Sequence, residues 1–132
     1  MRAALLLAAA AIACASAPAS AAPLGPGVWH SPNGAALTLT RLDADTGALE
    51  GTFVTDVVQG GCQAGGRPQR VVGWYDAESG AITFSAHVPQ RGCHAVIAWS
   101  GHYDEESGKL LTQFVRTAEG GASLTGVATF AK

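Results

Sequence analysis

DADTGALEGTF (Asp43–Phe53), DAESGAITFSA (Asp76–Ala86) and DEESGKLLTQF (Asp104–Phe114) are three versions of one phrase. Each opens on an acidic residue, passes a Ser or Thr, closes on a glycine (Gly47, Gly80, Gly108) and runs on into an apolar, strand-like stretch. Asp, Ser and Thr start turns because their side chains bond nearby backbone amides, and glycine takes the left-handed position at no steric cost. A turn that recurs at roughly thirty-residue spacing amid β-rich sequence predicts successive antiparallel hairpins.

Working outward from these turns, four further clusters of Gly, Pro and polar residues punctuate the chain: Pro32–Gly34, Gln59–Gln69, Pro89–Gly92 and Ala118–Gly121. Seven connectors imply eight strands, at approximately 27–31, 35–42, 48–58, 70–75, 81–88, 94–103, 109–117 and 122–131. Short links between consecutive strands favour an up-and-down meander, and eight such strands close into an antiparallel β-barrel without exposed sheet edges. The fold class expected is therefore all-β. Gln59–Gln69 is long for a hairpin and rich in Gly and Pro, which marks it as a lid over a ligand site.

Alternation assigns the faces. Phe53, Thr55 and Val57 share one side of the third strand. In the sixth, Ala95, Ile97, Trp99, Gly101 and Tyr103 share the inner side, which leaves Val96 and Ala98 outside. Leu111, Val115 and Val127 continue that apolar outer face onto the last two strands. An apolar outer face on a barrel needs covering, and a second copy of the chain is the simplest cover, so a homodimer is expected.

Residues 1–22 read as a signal peptide: Arg2, an apolar run from Ala3 to Ala13, and a small-residue cleavage site at Ala19-Ser20-Ala21. Cys14, in Ile12-Ala13-Cys14, leaves lipoprotein processing as a minor alternative. The barrel domain spans 23–132, with a secreted or periplasmic location expected. Setting aside Arg2 leaves 7 basic side chains against 10 acidic ones, a net charge of −3. With no basic stripe, nucleic acid and anionic membrane surfaces are excluded as partners. Cys62 and Cys93 remain, both in turn-like sequence and in a compartment that permits disulfides. A bridge between them would close a loop of about thirty residues and stabilise by about 3 kcal/mol. His30, His87, His94 and His102 show no ligand spacing with Cys or carboxylate support, so no metal is expected. With no Gly-x-Ser-x-Gly elbow and no third partner for Ser100 and His102, neither is an enzyme.

The chain resembles the avidin and streptavidin family. Trp99-Ser100-Gly101-His102-Tyr103 carries the resemblance most densely, followed by Thr112-Gln113-Phe114, Gly126 and the terminal Thr129-Phe130-Ala131-Lys132. Gly27-Val28-Trp29 with Gly34, and Leu49-Glu50-Gly51-Thr52-Phe53, extend it over nearly the whole domain. The resemblance implies an exported eight-stranded barrel that binds biotin, or a biotin-like small molecule, at one open end. It places the loops of Cys62 and Cys93 side by side, as in the short dimeric bacterial avidins that join them by a disulfide. That subgroup is the nearest. No cofactor is implied beyond the ligand itself.

Residue by residue, the resemblance also implies a weakened site. Ser31, Ala35 and Phe53 fall where the family places three donors to the ureido oxygen, so one hydroxyl survives. Ala128 replaces an Asp that accepts a ureido N–H. Ala95 and Ile97 replace a Ser and a Thr. Trp99 keeps its aromatic wall, Phe114 replaces a Trp, and Ala86 and Gly120 replace two more. Thr55 and Val57 match, and Asn33 and Arg116 bring polar groups to apolar positions. The ligand-binding set expected is Ser31, Asn33, Ala35, Phe53, Thr55, Val57, Trp99, Phe114, Arg116 and Ala128. Trp29 and Trp74 are assigned to structure. Arg116 admits two placements, a rim position with its head in water or an inward one that meets an anionic ligand. A competing function is an exported β-barrel protease inhibitor, with Ala22–Gly27 as the arm that enters a protease cleft.

Overall fold

The three repeated turns close alike. In each, the carbonyl of the leading Asp accepts the N–H of the closing glycine at 2.8 Å, and Gly47, Gly80 and Gly108 sit at φ 73, 72 and 69°. Oδ1 of Asp43, Asp76 and Asp104 accepts the N–H two residues on, at 3.0, 3.1 and 3.1 Å. The sequence phrase is thus a self-contained turn.

The computed structural model describes residues 22–56, 58–59, 62–63, 65–90 and 93–132, the side chains of 58, 59, 62, 63, 90 and 93 excepted. Ten strands result: β1 (Gly27–His30), β2 (Ala36–Leu42), β3 (Ala48–Val54), β4 (Val58–Gln59), β5 (Cys62–Gln63), β6 (Gln69–Tyr75), β7 (Ala81–Gln90), β8 (Cys93–Asp104), β9 (Lys109–Ala118) and β10 (Ser123–Ala131). Eight of them form a closed antiparallel barrel in the order β1-β10-β9-β8-β7-β6-β3-β2, while β4 and β5 pair separately. The avidin-like eight-stranded barrel expected from the sequence is present. One boundary differs: the third strand ends at Val54 rather than near 58. Its partner β6 begins at Gln69, opposite Phe53, so beyond Val54 the chain leaves the barrel ladder, and Val58–Gln59 pairs with β5 instead.

Because every strand runs opposite to its neighbours, alternate connectors fall at opposite ends. The three acidic turns all lie at one end, the base. Residues 31–35, Thr55, Asp56 and residues 65–68, and the short 3-10 turn Glu119–Gly121 lie at the other, the mouth. The thirty-residue repeat is therefore one complete down-and-up excursion of the barrel wall. Seven of the ten acidic side chains belong to the three base turns.

Inward residues follow strict alternation, as in Gln69, Val71, Gly73 and Tyr75 on β6. Trp29, Leu37, Leu39, Leu49, Val71, Phe84, Leu110 and Phe130 are fully buried. Trp29 is structural as expected, with Lys132 Nζ 4.6 Å from the centre of its ring. Trp74 is not a core residue: it alternates with inward Gly73 and Tyr75, and 62% of it is exposed. The segment before β1 is fastened to the base, where Leu24 is buried and the Tyr103 hydroxyl donates to the Ala22 carbonyl at 2.6 Å. Ala22–Gly27, the segment expected to serve as an inhibitory arm, is thus held at Ala22 and Leu24 against the barrel. The leader, Cys14, Val57 and the side chains of Cys62 and Cys93 lie outside the described residues.

Candidate functional site

A cavity of about 300 Å³ opens at the mouth, lined by residues of β3, β8, β9 and β10, by the turn after β1 and by Thr55. That is the small end of the roughly 300–1,000 Å³ range of small-molecule sites. Its walls are aromatic because four inward positions at one level of the barrel carry rings. Trp99 lies between Phe53, at 4.8 Å and 59°, and Phe84, stacked at 5.0 Å and 18°. Phe130 meets Phe53 edge-on at 6.5 Å and Phe84 at 6.2 Å. Phe84 supports the wall from behind, while Phe53, Trp99, Phe114 and Phe130 face the cavity. Edge-to-face and stacked pairs of this kind fix ring positions beyond what burial alone does.

Polar groups are few. Ser31 Oγ donates to Asn33 Oδ1, which also accepts the Ala35 N–H at 3.2 Å. Ser31 N–H donates to the Ala35 carbonyl at 2.9 Å, and Gly34 N–H to the Ser31 carbonyl at 3.0 Å. The Ser31 hydroxyl proton is therefore committed within its own turn. The oxygen retains lone pairs that can accept from a ligand N–H, and the Asn33 amide nitrogen is left as a donor. At the opposite wall, Thr112 Oγ1 donates to the Ala128 carbonyl at 2.7 Å, and the Ala128 side chain offers no acceptor.

The structure gathers Ser31, Asn33, Ala35, Phe53, Thr55, Trp99, Phe114 and Ala128 around this one cavity. Val57 lies outside the described residues. Arg116, expected in the ligand-binding set, is not among the residues that line the cavity. It sits on the inner face of β9, one inward position nearer the mouth than Phe114, and is only 5% exposed. The expected ligand-binding set lacked Pro32, Ile97, Val127, Thr129 and Phe130, which also line the cavity. Val127 and Thr129 occupy outer positions of β10, so alternation alone sends them away. They reach the cavity because β10 pairs with β9 along its whole length but with β1 only through Ala131, which leaves its mouth-end edge beside the Ser31–Ala35 turn. Gln69 does not line the cavity. It is a buried amide at the start of β6, with Nε2 donating to the Arg67 carbonyl at 3.2 Å.

Comparison with known proteins follows the same lines. The model of the avidin family matches residues 23–122. Among solved structures, apo shwanavidin is 27% identical, with a TM-score of 0.66 over 78% of this chain and 90% of that one. A low affinity variant of shwanavidin is 26% identical, with a TM-score of 0.69 over 83% of this chain and 96% of that one. Bradavidin is 25% identical, with a TM-score of 0.65 over 80% of this chain and 78% of that one. Solved complexes of a shwanavidin variant and of rhizavidin hold biotin. No curated protein matches the sequence.

Proposed function

This chain belongs to the avidin family, and on that premise we propose that it is an exported small-ligand-binding protein that holds a biotin-like ring compound in the mouth cavity, with biotin itself bound weakly. The family consists of non-enzymatic binding proteins. The observation that carries the reading is the cavity: an aromatic wall of Phe53, Trp99, Phe114 and Phe130 beside very few polar partners. Rings can be enclosed there by apolar contact. A ureido group finds much less. Its carbonyl needs donors, but the Ser31 proton is held by Asn33, and Ala35 and Phe53 have no polar side-chain atom. Its N–H groups need acceptors, and Ala128 supplies none. Each missing bond to a buried polar group costs about 1–3 kcal/mol, roughly 5- to 150-fold in affinity.

The assembly belonging to this reading is a homodimer with Cys62 bridged to Cys93, which would group the chain with the dimeric, disulfide-containing bacterial avidins. Calorimetric titration with biotin tests the ligand. The wild type should bind weakly, and the Ala35→Ser, Phe53→Tyr, Ala128→Asp triple variant should gain at least tenfold. Tight binding by the wild type, or no gain in the variant, would overturn the assignment.

A further inference from the structure

The turn after β1 decides which way its polar groups face. Ser31 stands first in a tight turn in which Pro32 pre-sets the backbone, Gly34 takes φ 89°, and the Gly34 N–H donates to the Ser31 carbonyl at 3.0 Å. Two donors converge there on one atom, Asn33 Oδ1: the Ser31 hydroxyl and the Ala35 backbone N–H at 3.2 Å. A backbone N–H can only donate, so the amide atom that faces it is the oxygen and not the nitrogen. That orients the Asn33 amide and makes the hydroxyl the donor of the Ser31–Asn33 bond. The second group within reach of Ser31 Oγ, the Ala35 carbonyl at 3.4 Å, is an acceptor too. A hydroxyl carries one proton, and both of these acceptors belong to the turn.

Ser31, Asn33 and Ala35 line the mouth cavity, so what Ser31 shows to a ligand is lone pairs. A ligand carbonyl brought against it sets two acceptor oxygens face to face, whereas an N–H or O–H finds a partner. Ala35 and Phe53, where the family resemblance leads one to expect donors, have no polar side-chain atom to change that balance. Asn33 Nδ2 does donate, but on an exposed residue where water competes for it, while Ser31 is half-buried. A polar match or mismatch weighs more away from water. The polarity of this wall is therefore opposite to a three-donor arrangement around a carbonyl.

We propose that Asn33 is a positioning residue that turns Ser31 from donor into acceptor, and that the ligand class is a ring compound presenting an N–H or O–H, rather than a carbonyl, to the turn after β1. The proposal rests on the reading of the cavity as a ring-binding site and deepens it. Asn33 acts through Ser31, so its effect is on the choice between ligands of one shape and not on the enclosure of rings in general.

The test uses three bicyclic probes of nearly one shape: indole, which donates; benzofuran, which can only accept; and indene, which does neither. NMR titration of the wild type should find indole bound about fivefold or more tighter than benzofuran, the scale of one hydrogen bond gained against one refused. Ser31→Ala removes the acceptor and should bring that ratio to about one. Asn33→Leu releases the hydroxyl proton and should lower the ratio by strengthening benzofuran relative to indene. Asn33→Asp keeps an oxygen for both donors and should preserve the preference for indole, which a role of Asn33 in turn stability alone would not explain. Equal affinity of indole and benzofuran for the wild type, or a ratio that survives either Ser31→Ala or Asn33→Leu, would overturn the proposal and leave the ring-binding reading intact. Absence of binding by all three probes would sink the ring-binding reading and this proposal with it.

Discussion

At the scale of single residues, Trp99-Ser100-Gly101-His102-Tyr103 shows how a short motif is fixed by position on a barrel wall. Trp99 faces in and builds the cavity, while Tyr103 faces in at the base and holds the Ala22 carbonyl. Ser100 and His102 face out and carry no comparable constraint. Gly101 points inward where neighbouring backbones crowd: a Cβ there would lie 1.9 Å from the Leu111 carbonyl oxygen and 2.8 Å from the Thr112 Cα. Backbone cannot step aside as a flexible side chain can, so the strands would have to part. Gly101→Ala is expected to destabilise by about 3 kcal/mol, the upper part of the usual overpacking cost. At roughly 4–8 °C per kcal/mol for a domain near this size, thermal unfolding should fall by more than 10 °C. An unchanged melting temperature would contradict the close approach. Arg116 is the opposite case. Its oddity was visible in the sequence, but its placement was not, because alternation says which face a residue takes and not whether water reaches it.

At the scale of elements, the base turns tie acid sensitivity to local geometry. The Asp43 carboxyl is held below its ordinary value first by the backbone N–H of Thr46, then by that residue's side chain and the Asp45 N–H. In Asp76 and Asp104 the first cause is the hydroxyl of Ser79 and of Ser107, which donates to the carboxylate. A carboxyl whose pKa is lower folded than unfolded binds protons more readily in the unfolded chain. The stabilisation is complete above the unfolded value of about 3.8 and is lost as pH falls through the lower folded values. Melting temperatures should therefore hold from neutral pH to about pH 5 and then fall as the solution is acidified through pH 4 and below. Replacing all three aspartates with asparagine should flatten that acid limb, and an unaltered slope would remove the turns as its source. These turns were the most legible part of the fold because their instructions are local: an Asp, a hydroxyl and a glycine within five residues. The end of the third strand was not legible, since it is set by where β6 begins, some fifteen residues later. The lining by Val127 and Thr129 was hidden for a related reason, as it depends on a gap between the first and last strands.

At the scale of the whole molecule, the barrel resolves the chain into an apolar interior, an acidic base, a mouth that opens on the ring-lined cavity, and an outer wall that is not uniformly polar. The interior and the two ends follow from alternation and turn order, which is why the barrel could be read in advance, whereas the cavity residues were named only through the family resemblance. The outer wall tests the assembly. Val96, Leu111, Val115 and Val127 are exposed by 51, 37, 46 and 76% on β8, β9 and β10, and the ladder sets them on diagonals of one face: Val115 lies opposite Ala98 and Thr125, and Val127 opposite Gln113, whose neighbours on that face of β9 are Leu111 and Val115. Solvent-facing valines scattered singly need no account, but a contiguous group across three adjacent strands marks an interaction surface. The same surface on a second copy is self-complementary about a two-fold axis, which gives a closed dimer rather than an open chain. Sedimentation equilibrium of the mature protein at micromolar concentration should thus report a dimer. Val115→Glu with Val127→Glu should yield a folded monomer, because both side chains lie outside the barrel and their loss leaves the core untouched. A wild type that sediments only as a monomer would refute the dimer. A double variant that stays dimeric would move the interface to another face, with Val72 and Trp74 on β6 as the next exposed apolar positions.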